Sequence, residues 1–150
     1  MIRVAIGTIQ VILNSIMNLV IMYLPQLRPI MTESFRRGAQ SATEAMRAVF
    51  PATPLMRNDH LSERYGGDIY LKREDLSPVR SYKLRGAFNA MRKRPEAELF
   101  VCASAGNHAQ GVAFMCSHFG VRGVIFMPVT TPQQKIQKTK MFGGANIEVR

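Results

Sequence analysis

Two hydrophobic periods alternate along this chain, and the points where one gives way to the other mark its elements. Residues 33–50 carry apolar side chains at helical spacing, with Ala42, Ala45, Met46 and Val49 on one face, until Phe50-Pro51 ends the pattern. Thr53-Pro54-Leu55 predicts an extended entry segment, because proline biases its predecessor away from α. Helical spacing resumes over residues 58–65 and stops at Gly66-Gly67, and residues 68–71 alternate as a strand through Ile69 and Leu71. Ser81 is a natural N-cap for the next helix, whose inner face is Leu84, Ala87, Phe88 and Met91.

Beyond it the pattern becomes regular. Residues 99–103 read as a short apolar strand, 104–107 as a tight polar turn, and 108–119 as a helix with Val112, Ala113, Cys116 and Phe119 inward, ended by Gly120. Residues 121–127 form a continuous apolar strand. Pro132 opens a helix that Gly143-Gly144 ends, and residues 147–149 begin one more strand. Strands alternating with helices of this length predict βαβ units, a parallel sheet and an α/β fold. A parallel sheet needs both faces covered. The sequence stops in or just after a strand with no covering helix, so it reads as the first part of a longer protein.

Residues 1–30 stand apart. No charge occurs over residues 4–24, where Ile, Val, Leu and Met dominate. The run is about long enough to span a bilayer, but Gln10, Asn14, Ser15 and Asn18 interrupt it and Pro25 and Pro29 close it. It reads as a membrane anchor or uncleaved signal, as a buried helix, or as an extension upstream of the functional start. The last is favoured, because Met31-Thr32-Glu33-Ser34 resembles an ordinary soluble N-terminus.

Composition narrows the function classes. A chain of 47% hydrophobic and 20% charged residues is globular rather than disordered. The formal charge of +10 would allow nucleic acid or an anionic surface as partner. The charge is scattered, however, and the one tight run, Arg92-Lys93-Arg94, precedes Pro95, where basic residues complement the end of a helix. No helix-turn-helix, zinc-finger or RNA-binding pattern accompanies it, so a nucleic-acid partner is not expected. Cys102 and Cys116 form no metal-ligand spacing and read as small buried hydrophobes, which suits a reduced, cytoplasmic compartment and no metal site.

Two stretches carry candidate chemistry. Lys83 falls in the first turn of the Ser81 helix, where the positive end of the helix dipole disfavours another positive charge. Such a field lowers an amine pKa and makes a lysine a nucleophile. The plain alternative is a surface lysine near a helix start. The second stretch, Ser104-Ala105-Gly106-Asn107-His108, lies at the C-terminal end of a strand and the N-terminus of a helix, where ligands bind in open α/β folds. Backbone N–H groups there can hold a carboxylate or phosphate, and Gly106 admits a ligand close to the backbone. Its plain alternative is an ordinary helix cap.

Taken in order, Thr53-Pro54-Leu55, Leu71-Lys72-Arg73-Glu74-Asp75, Ser81-Tyr82-Lys83-Leu84-Arg85-Gly86-Ala87 and Ser104-Ala105-Gly106-Asn107-His108-Ala109-Gln110-Gly111 resemble the N-terminal half of the fold-type II pyridoxal-phosphate enzymes. Within that family the pattern is most similar to the threonine dehydratases. The resemblance covers about residues 45–150 and leaves residues 1–30 outside. It implies a tryptophan synthase beta-like fold, incomplete at its C-terminus, with residues 31–98 in the large domain and 99–150 in a small α/β domain.

The resemblance further implies that Lys83 holds pyridoxal 5'-phosphate as a covalent Schiff base and later moves the substrate α-proton. Tyr82 matches an aromatic position, usually Phe, packed on the pyridine ring. Asn107 matches the residue that bonds the cofactor's 3′ oxygen. Ser104, Ala105, Gly106, Asn107 and His108 match the loop receiving the substrate α-carboxylate. The implied reaction takes L-threonine to 2-oxobutanoate and ammonia, within isoleucine biosynthesis, in a homo-oligomer when full length. Serine dehydratases, β-replacing relatives and a non-catalytic, membrane-tethered relative are the alternatives. Serine racemases of this group look to carry a serine where this chain has Ala105, which argues for elimination. Neither the family's glycine-rich phosphate loop nor the partner of the pyridine nitrogen has a match here, so these residues alone are expected to hold the cofactor poorly.

Overall fold

The computed structural model describes residues 33–150, and the expectations for residues 1–30 lie outside them. The chain divides between Thr43 and Glu44. Helix α1 (Glu33–Arg47) runs across that division; Ala42 and Met46 are buried on the face the sequence predicts, with Ala45 and Val49 half-buried. The second unit spans Glu44–Arg150.

Its first part is built from short elements: β1 (Leu55–Arg57), α2 (Asp59–Tyr65), β2 (Tyr70–Lys72) and a 3-10 turn (Glu74–Leu76). Asn58 caps α2 by accepting the Leu61 N–H at 2.8 Å, and Gly66 ends it at φ 66°, a left-handed conformation that glycine adopts without a Cβ penalty. β1 and β2 pair antiparallel, Leu55 opposite Lys72 and Arg57 opposite Tyr70. This two-stranded antiparallel sheet stands beside the predicted parallel one. Thr53-Pro54-Leu55 is the predicted extended entry segment, and β1 begins at its last residue and takes its strand character from its partner across the sheet.

The second part begins with α3 (Lys83–Met91), followed by β3 (Leu99–Ala103), α4 (Asn107–Phe119), β4 (Arg122–Phe126), α5 (Gln133–Gly143), a 3-10 turn (Gly144–Asn146) and β5 (Ile147–Val149). The three strands form a parallel sheet in the order β3-β4-β5, with Leu99 opposite Arg122, Ala103 opposite Phe126, and Ile125 opposite Val149. This is the predicted βαβ arrangement.

Helix α4 organises the layer, packing on α3, α5 and the sheet. Its small residues permit the approach: Ala109 and Ala113 are fully buried against Ile125, with Cys102, Met127, Phe142 and Ile147 around them. Phe119 departs from expectation. It is 37% exposed at the margin of the inner face, although its ring stacks on Phe88 at 5.9 Å between centroids. α3 buries Leu84, Ala87, Phe88 and Met91 as predicted. The basic run falls just past its last turn, with Arg92 as the C-cap. Along β3, Cys102 packs toward α4, while Leu99 and Val101 are 48% and 60% exposed, as alternation to opposite faces of a strand requires.

Candidate active site

Lys83 is the first residue of α3. The chain enters that helix through a tight turn, with Arg80 at φ 56° and its N–H donated to the Ser77 carbonyl at 2.8 Å. A bulky residue in the left-handed region is strained by about 1 kcal/mol or more. Two buried serines hold the turn in place. The Ser81 N–H donates to Ser77 Oγ at 2.9 Å, and Ser77 Oγ donates to the Ser81 carbonyl at 3.2 Å. Ser81 Oγ then accepts the Lys83 N–H at 3.2 Å, so its expected capping role is met, although Tyr82 occupies the formal cap position.

The side chain of Lys83 is free of this framework. It is exposed, with Nζ 5.0 Å from the centroid of the Tyr82 ring, which is itself 59% exposed. An ammonium over an aromatic face is attracted by the ring's electron density.

The turn at residues 104–108 is fixed from the sheet. The Ser104 N–H donates to the Phe126 carbonyl at 3.0 Å, extending the β3–β4 ladder, and Ser104 Oγ accepts the Gly106 N–H at 3.2 Å. α4 then starts with Gly106 at its cap and no side chain capping it. The first N–H groups of a helix have no partner within it and carry the positive end of its dipole, so this terminus is suited to an anionic group. Asn107 and His108 are exposed, and Ser104, Ala105 and Gly106 are half-buried. A cleft of about 330 Å³, lined by Ala103, Ser104, Ala105, Phe126, Met127 and Pro128, lies beside the turn at the C-terminal ends of β3 and β4.

Gly111 brings the two candidate stretches together. A Cβ at this position would lie 3.3 Å from the backbone carbon and oxygen of Lys83 and from the Leu84 nitrogen. Only a residue without a side chain lets the first turn of α3 meet the second turn of α4 so closely.

Sequence reading missed a third component. Arg85 reaches back to Glu74, with Nε 2.9 Å from Oε2 and Nη2 2.8 Å from Oε1, and Nη2 also lies 3.1 Å from Thr53 Oγ1. Thr53 donates its hydroxyl to Glu74 Oε1 at 2.5 Å, and Lys72 Nζ donates to the Thr53 carbonyl. The Arg85 guanidinium holds the Glu74 carboxyl below its ordinary range, and the Thr53 hydroxyl adds to this against the opposing effect of burial. The sequence signal was present as opposite charges in two adjacent motifs, but their pairing across intervening turns had no periodicity to reveal it.

An exposed lysine thus heads one helix, and its backbone packs against a second helix that starts without a side-chain cap beside a parallel sheet. Residues 47–150 match the family of pyridoxal-phosphate dependent enzymes, and the chain belongs to that family. Among curated relatives, it is 58% identical over 100 residues to the L-threonine dehydratase biosynthetic IlvA of Bacillus subtilis, covering 65% of this chain and 24% of that protein. The chain thus spans about a quarter of the length of that relative. Of solved structures, the processed threonine deaminase isoform 2 of Solanum lycopersicum is 41% identical with a TM-score of 0.59, over 66% of this chain and 28% of that one. A second solved threonine deaminase, from T.th., is 27% identical with a TM-score of 0.65, over 75% and 35% respectively. No helix among the described residues is long and apolar enough to cross a membrane.

Proposed function

We propose that this chain supplies the lysine-bearing part of a threonine ammonia-lyase, which converts L-threonine to 2-oxobutanoate and ammonia. The observation that carries the reading is the close approach of Gly111 to the Lys83 backbone, which packs the first turn of α3, bearing the exposed Lys83 side chain, against the second turn of a helix with no side-chain cap. The names of the relatives support the same reading.

The residues present suit pyridoxal 5'-phosphate. Lys83 would hold it covalently, the Tyr82 ring would pack on its ring, and Asn107 would bond its 3′ oxygen. A built Cβ on Gly106 meets nothing within 4 Å, so space is open there for a ligand against the backbone. When bound, the cofactor supplies an electron sink that makes the hydrogen on the substrate α-carbon removable.

The chain's own residues do the rest. The N–H groups at the start of α4 receive the substrate α-carboxylate, within the turn formed by Ser104, Ala105, Gly106, Asn107 and His108. Lys83 Nζ takes the α-proton. The β-hydroxyl leaves as water, and hydrolysis returns one water and releases ammonia, so threonine yields 2-oxobutanoate with atoms balanced. Serine, the alternative substrate, yields pyruvate. Ala105 has no proton to exchange, which favours elimination over racemisation. In the full-length protein we further assign residues 31–98 to a large domain and 99–150 to a small one, in a cytoplasmic homo-oligomer.

Borohydride trapping of the full-length protein, followed by peptide mass mapping, tests the assignment. The cofactor is expected on Lys83, and Lys83→Ala is expected to abolish threonine deamination. Attachment at another lysine, or racemisation of serine as fast as deamination of threonine, would overturn the reading.

A further inference from the structure

Arg85 is held from several directions at once. Beyond its two bonds to Glu74 and one to Thr53, its guanidinium lies 5.5 Å from the Phe50 ring centroid, and Nη1 lies 3.9 Å from Met46 Sδ. The ion pair is mostly withdrawn from water, with side chains 26% and 19% exposed. Withdrawing two charges from water offsets most of their attraction, so such a pair is weak grounds for stability. Its geometry is another matter. The apolar face of α3, Leu84, Ala87, Phe88 and Met91, holds the helix through contacts without direction. A guanidinium fork on a carboxylate is directional and constrains how the two groups sit.

We propose that Arg85, Glu74 and Thr53 are positioning residues for Lys83. They set the rotation of α3 about its axis, while Gly111 sets its approach to α4. Together they fix where the Lys83 amine stands relative to residues 104–108. This inference rests on the reading of Lys83 as the cofactor lysine.

The test uses the full-length protein with Thr53→Val, Thr53→Ser, Glu74→Gln and Arg85→Lys. Cofactor-free protein is mixed with pyridoxal phosphate, and the rate of borohydride-trapped modification at Lys83 is measured. Melting temperature, kcat and KM for threonine are measured beside it. A small misplacement of a reacting group is felt strongly in rate, so trapping at Lys83 and kcat are expected to fall about tenfold in Thr53→Val, Glu74→Gln and Arg85→Lys, with KM within about twofold. Thr53→Ser, which keeps the hydroxyl, is expected to restore parental values. Variants that melt lower yet trap and turn over like the parent would overturn the proposal and leave the network a purely structural one. If the charge variants fail to fold, the contrast between Thr53→Val and Thr53→Ser decides alone. A parent that does not trap at Lys83 would remove the functional reading and this inference with it. A parent that traps normally beside unaltered variants would remove only the inference.

Discussion

Gly111→Ala separates packing from chemistry at the meeting of α3 and α4. The new Cβ would sit 3.3 Å from three atoms, Lys83 C, Lys83 O and Leu84 N. All three are backbone within the first turn of α3, so none can rotate aside, and the helices must part by a few tenths of an ångström. Overpacking of this kind costs about 1–3 kcal/mol. Replacing a glycine inside a helix with alanine returns about 1 kcal/mol. The net loss of stability is therefore about 0–2 kcal/mol, a few degrees in melting temperature at most.

The effect on rate is expected to be larger in proportion. A 1 Å misplacement can lower a rate about a hundredfold, so a few tenths of an ångström between Lys83 and the turn at residues 104–108 predicts a loss of about four- to tenfold in kcat. Gly86→Ala is the internal control. It lies within α3, and its built Cβ meets nothing within 4 Å. It should gain about 0.5–1 kcal/mol and leave kcat unchanged. Thermal unfolding and saturating threonine turnover in the full-length protein distinguish the two. Equal kcat values for Gly111→Ala and Gly86→Ala would refute the reasoning.

Three further outcomes follow from the same structure. Gly123→Ala would place a Cβ 2.7 Å from Cys116 Sγ and 3.1 Å from Ile147 Cγ2, and should cost about 1–3 kcal/mol in urea unfolding, partly recovered by adding Cys116→Ala; a single variant as stable as the parent would contradict it. Burial pushes the Cys116 thiol up to about 11, so iodoacetamide at neutral pH should leave it unmodified in native protein and label it once unfolded. Glu74 sits below its ordinary range when folded, chiefly through Arg85. Its contribution is thus present above the unfolded value of about 4.3 and lost as pH falls through the folded value. The gap in melting temperature between the parent and Glu74→Gln should therefore close on acidification, and a gap independent of pH would count against the pair.

The parallel sheet was legible because its helices are punctuated: Gly120 stops α4 in a left-handed conformation, Gly144 caps α5, and the run from Gly123 to Ile125 is buried on β4. β1 was not, since Leu55–Arg57 is too short to show a period and its three residues are all exposed. Only the antiparallel register with Tyr70–Lys72 gives it an identity. Phe119 was misjudged for a related reason. Helical spacing put it on the inner face, but it follows the last buried residue of α4 and packs on Phe88 at the margin. For the candidate site, Lys83 and residues 104–108 stood out in the sequence by their places at two helix starts and by the ordered motifs around them. Thr53, Glu74 and Arg85 were not, because a hydroxyl, an acid and a base in three segments become a unit only when the chain folds.

That division bears on how Lys83 works. As proposed here, its amine must serve two partners, first the cofactor and then the substrate α-proton, so the side chain has to move while its root stays still. The structure has this character. The backbone of Lys83 is bonded to Ser81 Oγ and packed against Gly111, and its helix is pinned through Arg85. Its side chain is exposed and touches the Tyr82 ring. A lysine tied down by a salt bridge would be slower to exchange partners, and one on a loose helix would lose its aim. The residues that fix the root carry none of the proposed chemistry themselves. Substitutions among them should therefore change the rate at which Lys83 reacts without changing which atom reacts.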